Sequence, residues 1–243
     1  MELPIYIVDA FTQQQFKGNA AAVVPLQDWL APAVMQNIAI ENNLSETAFI
    51  RALSAGKYEI RWFSPLTEID FCGHATLAAS YVIFQQLGGQ GEIEFVTREV
   101  GSLFVQQRSD GRIEMSFPNQ CPAPVEQVPQ ALFAGLSVKP VQVLKNRQAY
   151  FAVMATEQDV TNLRYAAAQL KQLSPYDVVV TARASATTSE YDFISRYFWP
   201  ANGGDEDPVT GSIHSGLAPY WAKQLAKTEL VAYQASARGG ILY

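Results

Sequence analysis

The sequence predicts an α/β protein built as two similar halves, each a strand-rich unit wrapped around one central apolar helix. Three observations predict it. Short segments of β-branched and aromatic residues recur along the whole chain. Two helical stretches, 75–87 and 213–227, leave little polar surface on any side. Each is preceded by a glycine-containing turn, Phe71-Cys72-Gly73-His74-Ala75-Thr76 in the first half and Asp207-Pro208-Val209-Thr210-Gly211-Ser212 in the second.

In chain order the expected strands are IYIVDAF, AAVVPL, ETAFIRAL, YEIRWFSP, EIEFVT, LFVQQ and RIEMSFP, followed by VQVLKN, YFAVMA, DVVVTA and YDFISRYF. Helices are expected over 29–42, 75–87, 162–173 and 213–227. Within 75–87, Leu77, Tyr81, Phe84 and Leu87 fall on one face at helical spacing and alanines fill the others, so this helix is expected to be surrounded on most sides. Within 213–227, Leu217, Ala218, Tyr220, Trp221 and Leu225 predict the same. The tract QCPAPVEQVP breaks the pattern and sets a boundary, giving an N-terminal half over 1–117 and a C-terminal half over 118–243.

Composition removes several classes of function. With 243 residues, 49% hydrophobic and 16% charged, the chain is ordinary globular protein. Its net charge of -6, with Lys and Arg scattered, offers no footprint for a phosphate backbone, so no nucleic-acid partner is expected. No apolar run approaches the roughly 18–20 residues that span a bilayer. The start MELPIYIVDAF lacks the basic region of a signal peptide, so no membrane association and a cytoplasmic location are expected. Cys72 and Cys121 match no zinc or redox spacing, and His74 and His214 cannot supply a histidine-rich metal site.

A glycine turn that opens a helix leaves backbone N–H groups and the positive end of the helix dipole pointing outward, a ready site for a carboxylate. Two such helix mouths facing each other would hold an anionic substrate and stabilise the enolate-like charge that develops when a proton leaves carbon. On the local pattern alone, Gly73 and Gly211 read more simply as tight turns feeding buried helices, since glycine turns are common. Glu46 lies in Asn43-Leu44-Ser45-Glu46-Thr47-Ala48-Phe49, where a polar patch runs into an apolar strand. Partial desolvation there suits a carboxyl to act as both acid and base, although a local cap would use it too. His74 and Asp207 sit at the two helix mouths, where a histidine is the natural proton shuttle and an aspartate can simply cap. Cys72 is readable as a dipole-stabilised thiolate or as a small buried apolar residue.

Placed in order, these segments resemble the PhzF-like family of phenazine-biosynthesis proteins from end to end. The resemblance is carried by Val8-Asp9-Ala10-Phe11-Thr12 with Phe16-Lys17-Gly18-Asn19, by Leu44-Ser45-Glu46-Thr47-Ala48-Phe49, and by Arg61-Trp62-Phe63-Ser64-Pro65 leading to Glu68 and Cys72-Gly73-His74-Ala75-Thr76. Glu206-Asp207-Pro208-Val209-Thr210-Gly211-Ser212 and Arg238-Gly239-Gly240 complete it. It implies a diaminopimelate epimerase-like fold (α/β, α+β) of two pseudo-symmetric halves, each a barrel-like sheet around a central helix, with the active site between them. It also implies no metal, nucleotide or pyridoxal cofactor, and a homodimer. Glu46 is then the acid/base residue, His74, Asp207 and Ser212 are polar participants, and Gly73 and Gly211 supply backbone donors.

The epimerase branch of that fold uses two cysteines, one from each half. Here Cys72 resembles the first, but Thr210 occupies the second position. A threonine hydroxyl is too weak an acid to replace a thiol, so one-base chemistry through Glu46 is expected: an isomerase that shifts a proton within a small carboxylate or cyclic amino-acid-like substrate. An amino-acid epimerase or racemase, drawing a second acid/base group such as Asp207 from the other half, is the neighbouring possibility. A binding protein that keeps the fold without the reaction is the one of a different class. Relatives continue for another strand or two beyond Arg238-Gly239-Gly240-Ile241-Leu242-Tyr243, so the second half is expected to lack the family's last strands and to show an unpaired sheet edge.

Overall fold

A computed structural model describes residues 2–185 and 190–243, as two compact units, Met1–Phe117 and Pro118–Tyr243. In the first unit the elements are β1 (Tyr6–Ala10), β2 (Asn19–Leu26), α1 (Pro32–Asn42), β3 (Glu46–Ser54), β4 (Lys57–Phe63), β5 (Glu68–Ile69), α2 (Gly73–Gln86), β6 (Glu92–Val96), β7 (Ser102–Gln107) and β8 (Ile113–Met115). They form one mixed sheet in the order β1-β2-β3-β4-β6-β7-β8, with β5 beside β4. The parallel pairs β2–β3 and β4–β6 are those joined by the helices α1 and α2, as crossover connections require. Strands from both ends of the sheet touch α2, so the sheet curls about it as a half-barrel.

A sheet can close around a helix only where the helix is thin. The buried face of α2 is accordingly made of Ala75, Ala78, Ala79, Val82 and Ile83, packed against Ala48, Ile60 and Phe95. The face that spacing picks out is the outer one: Tyr81 and Leu87 are exposed. The helix is surrounded on most sides, as its composition predicts: only small residues fit where the sheet is closest, and of the larger ones Phe84 packs partly buried against the core. Two hydroxyls buried in α2 are satisfied by carbonyls one turn back, Thr76 Oγ1 on Cys72 O (2.6 Å) and Ser80 Oγ on Thr76 O (2.8 Å). On the opposite face of the sheet α1 places Met35 and Ala39 against Val24, Phe49 and Phe63.

The second unit contains β9 (Ala123–Pro124), α3 (Gln130–Gly135), β10 (Gln142–Lys145), β11 (Ala149–Val153), α4 (Glu157–Thr161), α5 (Ala167–Leu170), β12 (Asp177–Arg183), β13 (Phe193–Phe198), β14 (Glu206–Asp207), α6 (His214–Leu225), β15 (Ala232–Gln234) and β16 (Gly240–Leu242). The sheet order is β16-β15-β13-β12-β11-β10-β9, with β14 beside β13. One face carries α6, whose Leu217 and Trp221, with Ile213 just before the helix, flank Phe151, Val179 and Phe193. The other is covered by the α3–α5 region. The single helix expected over 162–173 is instead non-helical backbone after α4, followed by the short α5 and a 3-10 turn, Lys171–Leu173. An antiparallel bridge between Leu136 and Tyr165 and the bond Ala166 N–H to Gly135 O (2.9 Å) pin the intervening backbone in extended form. The last strands, β15 and β16, carry no strong sequence signal, and β16 is an edge. Among the described residues no helix is long and apolar enough to cross a membrane.

Strand pairing repeats between the units. The antiparallel β1–β2, parallel β2–β3, antiparallel β3–β4 and β4–β5, parallel β4–β6 and antiparallel β6–β7 recur as β10–β11, β11–β12, β12–β13, β13–β14, β13–β15 and β15–β16. Register repeats too: Thr47 opposes Phe63 and Phe63 opposes Glu68, as Val178 opposes Phe198 and Phe198 opposes Glu206. Arg61-Trp62-Phe63 therefore corresponds to Arg196-Tyr197-Phe198, Cys72 to Thr210, His74 to Ser212 and Glu46 to Asp177.

Candidate active site

In the first unit the site begins where α1 ends. Asn43 takes the left-handed conformation (φ 49°) and its N–H returns to Ala39 O at 3.1 Å, turning the chain toward β3. Ser45 bonds Asn19 Oδ1 (3.3 Å) and Asn42 bonds Thr47 Oγ1 (3.2 Å), which fix the entry. Glu46 is the first residue of β3, and strand alternation sends its side chain to the α2 side together with Ala48 and Ile50. Gly73 opens α2 in ordinary helical backbone; what it supplies is space, since a Cβ there would lie 3.3 Å from the Phe117 ring.

His74, in the first turn of α2, then stands between two groups. Its Nε2 is 3.0 Å from Glu46 Oε2 and its Nδ1 is 3.4 Å from Cys72 Sγ. The histidine and glutamate side chains are 9% and 17% exposed. The Nε2 and Oε2 atoms are buried and touch without the alignment of a hydrogen bond. Burial pushes the Cys72 thiol up, with His74 pulling the other way. Burial also opposes charge on His74, but the Cys72 sulfur and the Glu46 carboxylate on either side of the ring outweigh it and hold its pKa well above the usual value.

Glu46, Cys72 and His74 each offer a ligand atom within 4.8 Å of the others, a donor set that zinc would accept. The ring, however, turns one nitrogen to the sulfur and the other to the carboxylate.

In the second unit Asp207 accepts a hydrogen bond from the Thr210 hydroxyl. The fully buried Gln234 locks this turn, accepting from Thr210 N–H and donating to Asp207 O, both at 2.9 Å. Thr210, in the position of Cys72, thus has its hydroxyl occupied by Asp207. Gly211 and Ser212 lie in the turn before α6, and Ser212 Oγ accepts from Gln148 Nε2 at 2.9 Å. His214 begins α6 with its Nδ1 2.8 Å from Thr210 O, and burial pushes its pKa down to about 4. Glu46, Gly73 and His74 are thus brought together in one unit, and Asp207, Gly211 and Ser212 in the other.

Residue patterns missed Asp177, Tyr197, Gln148 and Gln234, which are scattered in sequence and meet only through sheet register. They also missed the twin bidentate pairs Arg61–Glu68 (2.7 and 2.7 Å) and Arg196–Glu206 (2.7 and 2.8 Å), which tie the short strands β5 and β14 just before each helix mouth. The repeated Arg-aromatic-Phe triplet was the available signal.

Two repeated mixed sheets, each packed on a helix that follows a glycine-containing turn, define the diaminopimelate epimerase-like fold class. A hydroxyproline epimerase from Agrobacterium vitis shares this fold with a TM-score of 0.54 at 7% identity, over 98% of this chain and 82% of its own. Residues 8–243 match the family of phenazine biosynthesis-like proteins, PhzC-PhzF, and the chain belongs to that family. A PhzF-family phenazine biosynthesis protein from Enterococcus faecalis is similar in structure, with a TM-score of 0.92 and 43% identity over 100% of this chain and 90% of the other. A relative in Halalkalibacterium halodurans named as an uncharacterized isomerase is 44% identical, over 100% of this chain and 90% of its own length.

Proposed function

We propose that this chain shifts a proton within a small carboxylate, using Glu46 as the acid/base residue and no cofactor. The observation that carries this reading is the buried Glu46–His74 pair, whose facing atoms lack an aligned hydrogen-bond partner. A carboxylate with an unspent lone pair is what proton abstraction from carbon requires. After abstraction, the imidazolium and the first-turn N–H groups at Gly73 stabilise the negative charge left on the substrate. Asp207, Ser212 and the turn at Gly211 are the second unit's candidate substrate-binding groups. Cyclic amino-acid-like carboxylates are the first class to try. With the Thr210 hydroxyl donated to Asp207, the position that matches Cys72 offers no thiol-like base, which favours a one-base proton shift over two-base racemisation.

The test is carbon-bound proton exchange in deuterated water, followed by NMR over a panel of cyclic hydroxy amino acids and both enantiomers of common amino acids. Glu46→Gln should reduce exchange by about 1,000-fold or more, at the upper end for a lost acid/base group. Exchange that survives the substitution would move the chemistry to Cys72, and loss of optical purity in the recovered substrate would make the enzyme an epimerase.

A further inference from the structure

We propose that Asp177 is a positioning residue of the second unit: acting through Tyr197 and Gln148, it fixes the Ser212 hydroxyl as a hydrogen-bond donor toward substrate. This rests on the reading of Ser212 as a substrate-binding residue. Sheet register makes Asp177 the counterpart of Glu46, and Ser212 the counterpart of His74. In the first unit that carboxylate reaches the helix-mouth residue directly, at 3.0 Å. In the second, the same two positions are joined by a chain of hydrogen bonds.

Tyr197 OH donates to Asp177 Oδ2 at 2.5 Å, Gln148 Nε2 donates to the Tyr197 hydroxyl at 3.1 Å, and the same amide donates to Ser212 Oγ at 2.9 Å. An ionised carboxylate only accepts. Tyr197 must therefore donate to it, the phenol oxygen must accept, and Gln148 must present its amide rather than its carbonyl. The second amide hydrogen then falls on Ser212, whose own proton is left for a substrate oxygen.

Every link is forced by the charge at one end. Burial of the Tyr197 phenol, with the Asp177 carboxylate beside it, raises its pKa far above the ordinary range, so it remains a donor throughout neutral pH. Asp177 is itself raised by burial, against the opposing bonds from Tyr197 and from Asn202 Nδ2 (2.7 Å). Asp207 is the other charged group that bears on Tyr197.

Replacing the carboxylate by its amide isostere reverses the chain. Asn202 Nδ2 also donates to Pro175 O (3.2 Å), so its amide stays turned toward position 177. In Asp177→Asn the new carbonyl faces Asn202 and the new amide faces Tyr197. Tyr197 then donates to Gln148, whose carbonyl swings inward and also captures the Ser212 proton.

The experiment is a pair of neutron crystal structures, wild type and Asp177→Asn, with exchange kinetics of both and of Tyr197→Phe, Ser212→Ala and the Asp177→Asn/Ser212→Ala double variant. Wild type should show the Gln148 amide toward Ser212 and the Ser212 deuterium turned away from it, and Asp177→Asn should show both reversed. Asp177→Asn and Tyr197→Phe should lower kcat/KM by about 10- to 100-fold, mainly through KM, as for one lost charge-assisted hydrogen bond. Ser212→Ala should do the same, and the double variant should be no worse. A Gln148 carbonyl facing Ser212 in the wild type, or an unchanged orientation in Asp177→Asn, overturns the proposal. If Ser212→Ala impairs turnover while Asp177→Asn and Tyr197→Phe do not, the proposal falls and the reading of Ser212 survives. If Ser212→Ala changes nothing, that reading fails and takes the proposal with it.

Discussion

His74 has a different neighbour on each ring nitrogen, a thiol on Nδ1 and a carboxylate on Nε2. A histidine whose pKa is raised by its neighbours keeps its positive charge below that raised value and loses it as pH climbs through it. The alkaline limb of the pH–rate profile should therefore lie above the ordinary histidine range. In His74→Gln that limb should disappear and kcat should fall by about 10- to 100-fold, since a polar group remains but its charge does not. An alkaline limb unchanged in the variant would take His74 out of the proton chemistry. Glu46 and His74 were legible in the sequence because each lies in a short motif, Leu44-Ser45-Glu46-Thr47 or Cys72-Gly73-His74-Ala75. Asp177 was not, because Asp177-Val178-Val179-Val180 reads as any strand entry, and only the pairing of β12 with β13 places Tyr197 beside it.

At the scale of elements, the helices show where periodicity succeeds and where it fails. α1 begins at Pro32, as a helix opened by proline should, three residues inside the expected span of 29–42. α6 contains Pro219, which cannot donate to the carbonyl of Ser215 one turn back. That carbonyl is taken instead by Gln120 N–H at 2.9 Å, so the start of the unit is stitched to the side of its own helix. Close by, Gly216 sits where a Cβ would lie 2.6 Å from Phe151 Cζ and 3.1 Å from Gln120 O. Gly216→Ala should cost about 1–3 kcal/mol by overpacking, readable as a lowered urea midpoint. A midpoint equal to wild type would mean that α6 is free to shift away from the sheet. Contacts of this kind leave no trace in a hydrophobic pattern, because glycine is chosen for what it lacks.

For the whole molecule, acid stability turns on groups buried in neutral form. His214 has a pKa near 4 in the folded chain against 6.5 for an ordinary histidine, so the unfolded chain binds more protons between those values and stability rises with pH across the window. The difference amounts to about 3 kcal/mol, fully present above pH ~6.5 and lost as pH falls toward 4. Thermal unfolding across that range should show the rise, and His214→Gln should flatten it. The matched pairing of the two sheets has a wider consequence. Each unit retains the Arg–Glu clasp before its helix, while the positions that bear on chemistry have parted: Glu46 from Asp177, Cys72 from Thr210, His74 from Ser212. The repeated pairing and register are what doubling of a single unit would leave behind, with different side chains now standing at the matched positions. On the function proposed here, a chain rebuilt from two first units would duplicate the Glu46 carboxylate and lose the Ser212 hydroxyl, so the copies are no longer interchangeable parts.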